Sequence, residues 1–229
     1  MENQFSRTEL LIGKEAIEKL KESKVAIFGI GGVGSYTVEA LARAGIGHLI
    51  IVDYDKYDIT NINRQIGATN STIGKYKVDV MKERILDINP NAIVEAYKPD
   101  EIEGGETNLI NSSITYVVDA IDTMSSKIKL IEKCKEQNVK IITATGAGNK
   151  LDANKFQVSD IYKTSVCPVC RILRKELKKR NINKLKVVFS TENSKKPETE
   201  QNILGSISYV PSVAGLILAG EVIKDIIQF

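Results

Sequence analysis

The segment from Lys24 to Asp53 constrains the fold of this chain more than any other. Lys24-Val25-Ala26-Ile27-Phe28 reads as a short buried strand, and it runs straight into Gly29-Ile30-Gly31-Gly32-Val33-Gly34, a G-x-G-x-x-G turn. Helical spacing follows over residues 33–44 and stops at Gly45, and Leu49-Ile50-Ile51-Val52 forms a second strand that ends on Asp53. Strand, turn, helix and strand within about 30 residues make one βαβ unit. The glycines allow a tight turn and let backbone N–H groups approach a phosphate, with the positive end of the helix behind them. Asp53, about 20 residues further on, places a carboxylate where a ribose hydroxyl is held. The unit therefore predicts a nucleotide site with Gly29, Gly31, Gly32, Gly34 and Asp53 in it.

The alternation continues. Residues 8–22 have amphipathic helical spacing, with Leu10, Leu11, Ala16, Ile17 and Leu20 apolar; 75–88 is a second such stretch, stopping at Asn89-Pro90. Residues 92–97, 116–122 and 140–145 read as strands and 125–137 as a helix. This rhythm predicts a mostly parallel sheet covered by helices on both faces. Beyond Gly148 it fades into a strand at 156–159, a basic helix at 169–180, a strand at 186–190 and a last helix at 212–227. Residues 192–202 are the most polar stretch and read as a mobile loop.

At 229 residues, 42% hydrophobic and 27% charged, the chain suits one soluble domain with a small C-terminal extension. The expected division is a nucleotide-binding core over 8–150 and a substrate-facing part over 151–229. Three cysteines are too few for a disulfide framework, and no apolar leader opens the sequence, so a cytoplasmic location is expected. Residues 201–220 carry no charge, but Ser206, Ser208, Tyr209, Pro211 and Ser212 make them too polar for a lipid-facing span. Peripheral membrane contact stays open.

A nicotinamide dehydrogenase would share all of these features. The segment Asn61-Ile62-Asn63-Arg64-Gln65 and Lys77 at the next helix argue for a triphosphate instead. A diphosphate held on backbone amides needs little positive charge, whereas β and γ phosphates need cations. Asp119 and Asp122 close a strand predicted to be central. Asp122, nearer the turn, is the better candidate to hold Mg²⁺ between phosphates, and Asp119 suits a structural acceptor.

GIGGVG at Gly29–Gly34, VDYD at Val52–Asp55, NINRQ at Asn61–Gln65, GKYK at Gly74–Lys77 and DAIDT at Asp119–Thr123 together resemble the ubiquitin-activating-type (ThiF/MoeB/HesA-like) adenylating superfamily. Within it the chain looks most like the tRNA threonylcarbamoyladenosine dehydratase branch, on Phe5-Ser6-Arg7, Asn63-Arg64-Gln65-Ile66, the stretch Thr145–Asp152, and Val188-Phe189-Ser190-Thr191-Glu192. One departure is Gly67, where some relatives carry histidine. The resemblance implies a Rossmann-like α/β fold and an ATP- and Mg²⁺-dependent cyclisation of threonylcarbamoyladenosine in a tRNA anticodon loop. It implies Gly31 and Gly32 on phosphate, Asp53 on the ribose, Asp55 in the same cofactor site, and Asn61, Arg64 and Lys77 on phosphates, with Asp122 on the metal side. It also implies a homodimer in which Arg7 reaches the neighbouring subunit's ATP, and it leaves room for a sulfur-relay or carrier protein.

The expected chemistry is attack of a substrate carboxylate on the α-phosphorus of ATP, with Arg64, Lys77 and Asp122 (through Mg²⁺) as the catalytic set. The acyl-adenylate is then closed by a nitrogen of the same modified base, a tethered nucleophile that needs mainly positioning. No protein nucleophile is required. Cys167-Pro168-Val169-Cys170 is a CxxC that serves as half a zinc site, a redox pair or plain packing, and four ligands are needed for a structural zinc. Cys134 reads as a small buried hydrophobe, and His48 as a surface turn residue.

Arg171, Arg174, Lys175, Lys178 and Lys179 recur at helical spacing as a basic stripe, with Ile172, Leu173 and Leu177 as an apolar stripe beside it. By spacing alone this is a solvated helix face; the resemblance favours a tRNA backbone. Two other functions compete. An adenylyltransferase acting on the C-terminal glycine of a ubiquitin-like carrier is disfavoured by the missing second CxxC and the basic helix. A nucleotide-sensing module without turnover would prefer NAD to ATP.

Overall fold

The computed structural model describes residues 3–98, 105–195 and 204–229. Much of the segment 192–202 expected as a loop lies outside them. A seven-stranded sheet runs in the order β3-β2-β1-β4-β5-β7-β6. The strands are β1 (Lys24–Phe28), β2 (His48–Val52), β3 (Ile93–Tyr97), β4 (Tyr116–Asp119), β5 (Lys140–Ala144), β6 (Phe156–Asp160) and β7 (Lys186–Ser190). All neighbours pair in parallel except β6, which runs antiparallel to β7 at the edge. The helices are α1 (Ser6–Ile12), α2 (Lys14–Glu22), α3 (Gly34–Ala44), α4 (Lys77–Ile88), α5 (Met124–Glu136), α6 (Pro168–Lys179) and α7 (Tyr209–Ile227). This is a Rossmann-like α/β fold. Residues beyond 150 supply β6, β7 and α7 to the same sheet and its cover.

The two-residue period of the strands sorts the core onto two faces. Val25 and Ile27 join Leu41, Met81 and Leu218 on one face. Ala26 and Phe28 join Leu130 and Cys134 on the other. The parallel strands β1, β2 and β4 are buried on both sides, and so read as continuous apolar runs. On the first face α7 lies against α3 so closely that a Cβ on Gly215 would stand 2.2 Å from the Val33 carbonyl oxygen.

Several expectations are corrected. The amphipathic stretch 8–22 is two helices, because Gly13 takes φ +84° between them. Ile17 and Leu20 are buried as the pattern requires, but Leu10 and Leu11 on α1 are 88% and 84% exposed. The strand expected at 116–122 ends at Asp119, leaving Asp122 in the loop before α5. His48 is the first residue of β2, not a turn residue, and its Nε2 lies 2.5 Å from Glu95 Oε1. Gly67 lies where a Cβ would stand 2.1 Å from the Tyr57 hydroxyl, so the phenol already occupies the space a side chain would need. Among the described residues no helix is long and apolar enough to cross a membrane.

Candidate active site

The strand order reverses between β1 and β4, and in open α/β sheets ligands bind outside the carboxyl ends of the strands at that point. Three loops meet there. Gly29 follows β1 with φ +87°, and a Cβ on it would stand 2.6 Å from the Ala120 carbonyl oxygen. Asp53 follows β2, and Ala120-Ile121-Asp122 follows β4. The Gly29 N–H donates to the Val52 carbonyl and the Ala120 N–H to the Phe28 carbonyl, each at 2.8 Å, so backbone bonds hold the loops together.

A cavity of about 770 Å³ opens above them, within the range of small-molecule sites. Gly29, Gly31, Gly32, Asp53, Asp55, Asn61, Arg64, Lys77 and Asp122 all line it. Two expected residues do not. Gly34 packs the start of α3 beneath the turn, with an added Cβ only 1.8 Å from the Gly29 carbonyl oxygen. Arg7 stands exposed on α1, away from the cavity of its own chain. Gly31 is different from Gly34: the nearest atom to an added Cβ is Gln65 Nε2 at 3.9 Å, so the glycine faces open cavity.

Each polar group is placed by local structure. Asp53 is 8% exposed and accepts hydrogen bonds from the Ile30 N–H at 2.6 Å and the Asp55 N–H at 2.8 Å. Burial pushes its carboxyl above the ordinary carboxylate range, opposed by the Lys77 ammonium and those two N–H groups. Lys77, buried at the start of α4, lies 2.6 Å from Asp55 Oδ2 and 3.8 Å from Asp53 Oδ1. Asn61 closes a short 3₁₀ turn, its Oδ1 accepting from the Asp58 N–H. Arg64 Nη1 donates to the Thr60 carbonyl at 2.8 Å and to Asn63 Oδ1 at 3.0 Å, which fixes the guanidinium at the cavity. Lys77 is thus buried at the cavity, and Arg64 lines it half-buried with its guanidinium bonded to its own turn.

Asp119 has a different task from Asp122. It is fully buried, and both its carboxylate oxygens lie 2.9 Å from Lys127 Nζ, which also donates to the Ala144 carbonyl at 3.1 Å. Asp119 Oδ1 accepts from the Ile121 N–H at 3.1 Å. This buried pair ties the ends of β4 and β5 to α5 and shapes the loop that presents the exposed Asp122.

Sequence reasoning gave no role to Gln65. It is 6% exposed and lines the cavity, and its buried Oε1 has no hydrogen-bond partner among the described residues. An unpaired buried amide oxygen costs about 1–3 kcal/mol, so this one is available to a ligand. The far wall was also missed: Ala147, Gly148, Leu204, Gly205, Ser206 and Pro211 come from the second half of the chain. Asn63 Nδ2 ties it to the Arg64 turn through the Ser206 carbonyl at 3.0 Å. Only folding brings these segments together.

The stripe on α6 is reduced. Arg171, Lys175 and Lys178 are exposed and make no ion pair among the described residues. Arg174 instead turns in, and Nη1 donates to the Thr164 carbonyl at 3.0 Å and to the Thr164 hydroxyl. Lys179 pairs with Glu176 at 2.7 Å. Leu173 and Leu177 are buried, but Ile172 is 48% exposed and leaves the apolar stripe.

The ThiF family model matches residues 5–229. The chain belongs to the ThiF family. Among ThiF relatives, it is 43% identical to the tRNA threonylcarbamoyladenosine dehydratase of Bacillus subtilis (strain 168), over 100% of this chain and 96% of that protein. It is 36% identical to the Escherichia coli (strain K12) tRNA threonylcarbamoyladenosine dehydratase over 87% of this chain and 77% of that one. The structure of the E. coli dehydratase TcdA in complex with ATP superposes with TM-score 0.86 at 33% identity, covering 98% of this chain and 94% of that chain.

Proposed function

We propose that this chain dehydrates threonylcarbamoyladenosine in tRNA to its cyclic form, spending ATP through an acyl-adenylate. The observation that carries the reading is the end-to-end match, at 43% identity, to a dehydratase of that name. The cavity supports it with a phosphate end (Gly31, Gly32, Asn61, Arg64, Gln65, Lys77) and a nucleoside end (Asp53, Ile121, Ser126). In this reading the whole chain is one adenylating domain, with 151–229 facing the tRNA.

Charge favours a metal-assisted reaction. Five carboxylates (Asp53, Asp55, Asp58, Glu106, Asp122) line the cavity against three cations (Lys56, Arg64, Lys77). A triphosphate carries too much negative charge to settle among them unaided. Asp122, an exposed oxygen donor at the cavity, suits Mg²⁺, which prefers a carboxylate or two plus phosphate oxygens. When bound, Mg²⁺ neutralises phosphate charge and orients the leaving group. Arg64 donates to the phosphate oxygens from its fixed position. Lys77, held by Asp55 and Asp53, supplies a second positive charge without having to be ordered on binding. Arg7, supplied by a second copy, would add a further cation; Leu10 and Leu11, uncovered on the same helix, support a homodimer.

Arg171, Lys175 and Lys178 form the tRNA-facing row, because α6 starts beside the cavity wall: a Cβ on Gly146 would lie 3.4 Å from Cys167 Sγ, and Ala147 and Gly148 line the cavity. In this reading Arg174 and Lys179, occupied within the chain, shape the helix that carries the row. Pyrophosphate exchange tests both claims. Exchange is expected with threonylcarbamoyladenosine-bearing tRNA and not with a ubiquitin-like carrier; exchange with a carrier alone would overturn the reading. Lys175→Glu with Lys178→Glu is expected to raise the KM for tRNA about tenfold or more and flatten its salt dependence, with the KM for ATP unchanged. An unchanged KM for tRNA would remove α6 from the interface.

A further inference from the structure

Cys167-Pro168-Val169-Cys170 takes no part in the adenylation chemistry. Cys167 is the N-cap of α6 and Cys170 sits in its first turn, 3% and 0% exposed. Cys170 Sγ lies 3.3 Å from the Thr145 hydroxyl, which also donates to the Val188 carbonyl at 3.1 Å. The next residue, Gly146, takes φ +53° and packs on the other thiol, an added Cβ lying 3.4 Å from Cys167 Sγ. Ala147 and Gly148, which come next, are cavity wall. Both thiols thus lie directly under the strand end that becomes the nucleotide wall.

The approach to Cys167 is strained. Val166 is 51% exposed and takes φ +63°, the left-handed region that a β-branched residue rarely adopts. Metal binding does not account for the pair. The chain has three cysteines, Cys134 belongs to a different core cluster, and no group of three metal-ligating side chains exists among the described residues. A CxxC beside a βαβ sheet, with its first cysteine at a helix N-terminus, has the arrangement of a redox dithiol. Cys170 beside it holds the Cys167 thiol below the ordinary thiol range against the effect of burial, and the same neighbour relation pushes Cys170 up.

We propose that Cys167 and Cys170 form a dithiol–disulfide couple, oxidised by low-molecular-weight disulfides and coupled through Gly146 to the nucleotide wall. The Cys167 thiolate attacks one sulfur of the small disulfide, forming a mixed disulfide and expelling one thiolate. Cys170 then loses its proton to water and attacks Cys167 Sγ, closing the intrachain bond and expelling the second small thiol. Two electrons and two protons leave the pair, and one small disulfide becomes two thiols. Closing the bond draws Cys170 Sγ off Thr145 and changes the surface under Gly146. The coupling, though not the thiol chemistry, rests on the nucleotide reading above.

The test treats the full chain with oxidised glutathione, then measures free thiols, intact mass and ATP binding by calorimetry. The expected result is loss of two of three thiols, a mass lower by two hydrogens with no adduct, and reversal by dithiothreitol. Cys170→Ser should trap a glutathione adduct on Cys167, and Cys134 should stay reduced. The oxidised chain should bind ATP several-fold more weakly than the reduced chain. Three titratable thiols after treatment, or an adduct confined to Cys134, would overturn the couple. A disulfide that leaves ATP affinity unchanged would overturn the coupling. A reduced chain that binds no ATP would overturn the nucleotide reading and the coupling with it, while the thiol and mass readings still decide the couple.

Discussion

Replacing Arg64 by alanine is expected to lower tRNA-dependent pyrophosphate exchange by about 10²–10³-fold, the usual effect of removing one preorganised donor to developing charge. Among the described residues the guanidinium is fixed by Thr60 and Asn63, four and one residues away in sequence, so no distant packing depends on its head group. Thermal unfolding should therefore shift little while kcat falls. Asp122→Ala should behave alike for a different reason: among the described residues the exposed carboxylate accepts only from its neighbour Thr123, at 3.3 Å, and would be the protein's hold on Mg²⁺. Raising the Mg²⁺ concentration should recover part of the Asp122→Ala activity and none of the Arg64→Ala activity. Normal exchange in either variant would mean that the phosphate or metal assignment is wrong.

The largest stability effect is expected at Lys127. Lys127→Ala leaves Asp119 buried with no cation, and breaking one side of such a pair costs about 3–5 kcal/mol. For a domain of typical stability, about 5–15 kcal/mol, this is a large fraction. The pH dependence identifies the cause. In the wild type, burial pushes the Asp119 carboxyl up and Lys127 opposes it. Without Lys127 the upward push is opposed by the Ile121 N–H but no longer by a cation, so the variant's folded state favours a protonated Asp119. The variant's stability should be best near and below the ordinary carboxylate range and fall as pH rises through the raised folded value. Asp119→Asn in the same chain should restore much of the loss, because it removes the charge that needs a partner. Denaturant unfolding from pH 4 to pH 8 measures both; a stability loss in Lys127→Ala that is flat with pH would show that packing, not charge, carries the effect.

The sheet was legible because its strands are covered on both faces, and so appear as short unbroken apolar runs such as Ala26-Ile27-Phe28 and Leu49-Ile50-Ile51-Val52. The glycine turn and Asp53 could be read for the same reason: their spacing is set by one local βαβ unit. Boundaries decided by backbone conformation were less visible. Nothing in the periodicity of 8–22 shows that Gly13 takes positive φ and divides the helix. The far wall of the cavity is a long-range product, since Pro211 reaches Gly32 only because α7 packs on α3. Arg174 shows the limit of helical spacing. It falls on the basic stripe, yet the carbonyls of the preceding turn draw its guanidinium inward.

The central claim is that this cavity primes a carboxylate borne by tRNA for ring closure. Mass analysis of nucleosides from threonylcarbamoyladenosine-containing tRNA, incubated with the chain, ATP and Mg²⁺, tests it most directly. The account predicts a nucleoside lighter by one water, formed with release of AMP and pyrophosphate and absent when ATP is replaced by NAD. Unchanged threonylcarbamoyladenosine in the complete mixture, with the chain folded and ATP bound, would contradict it.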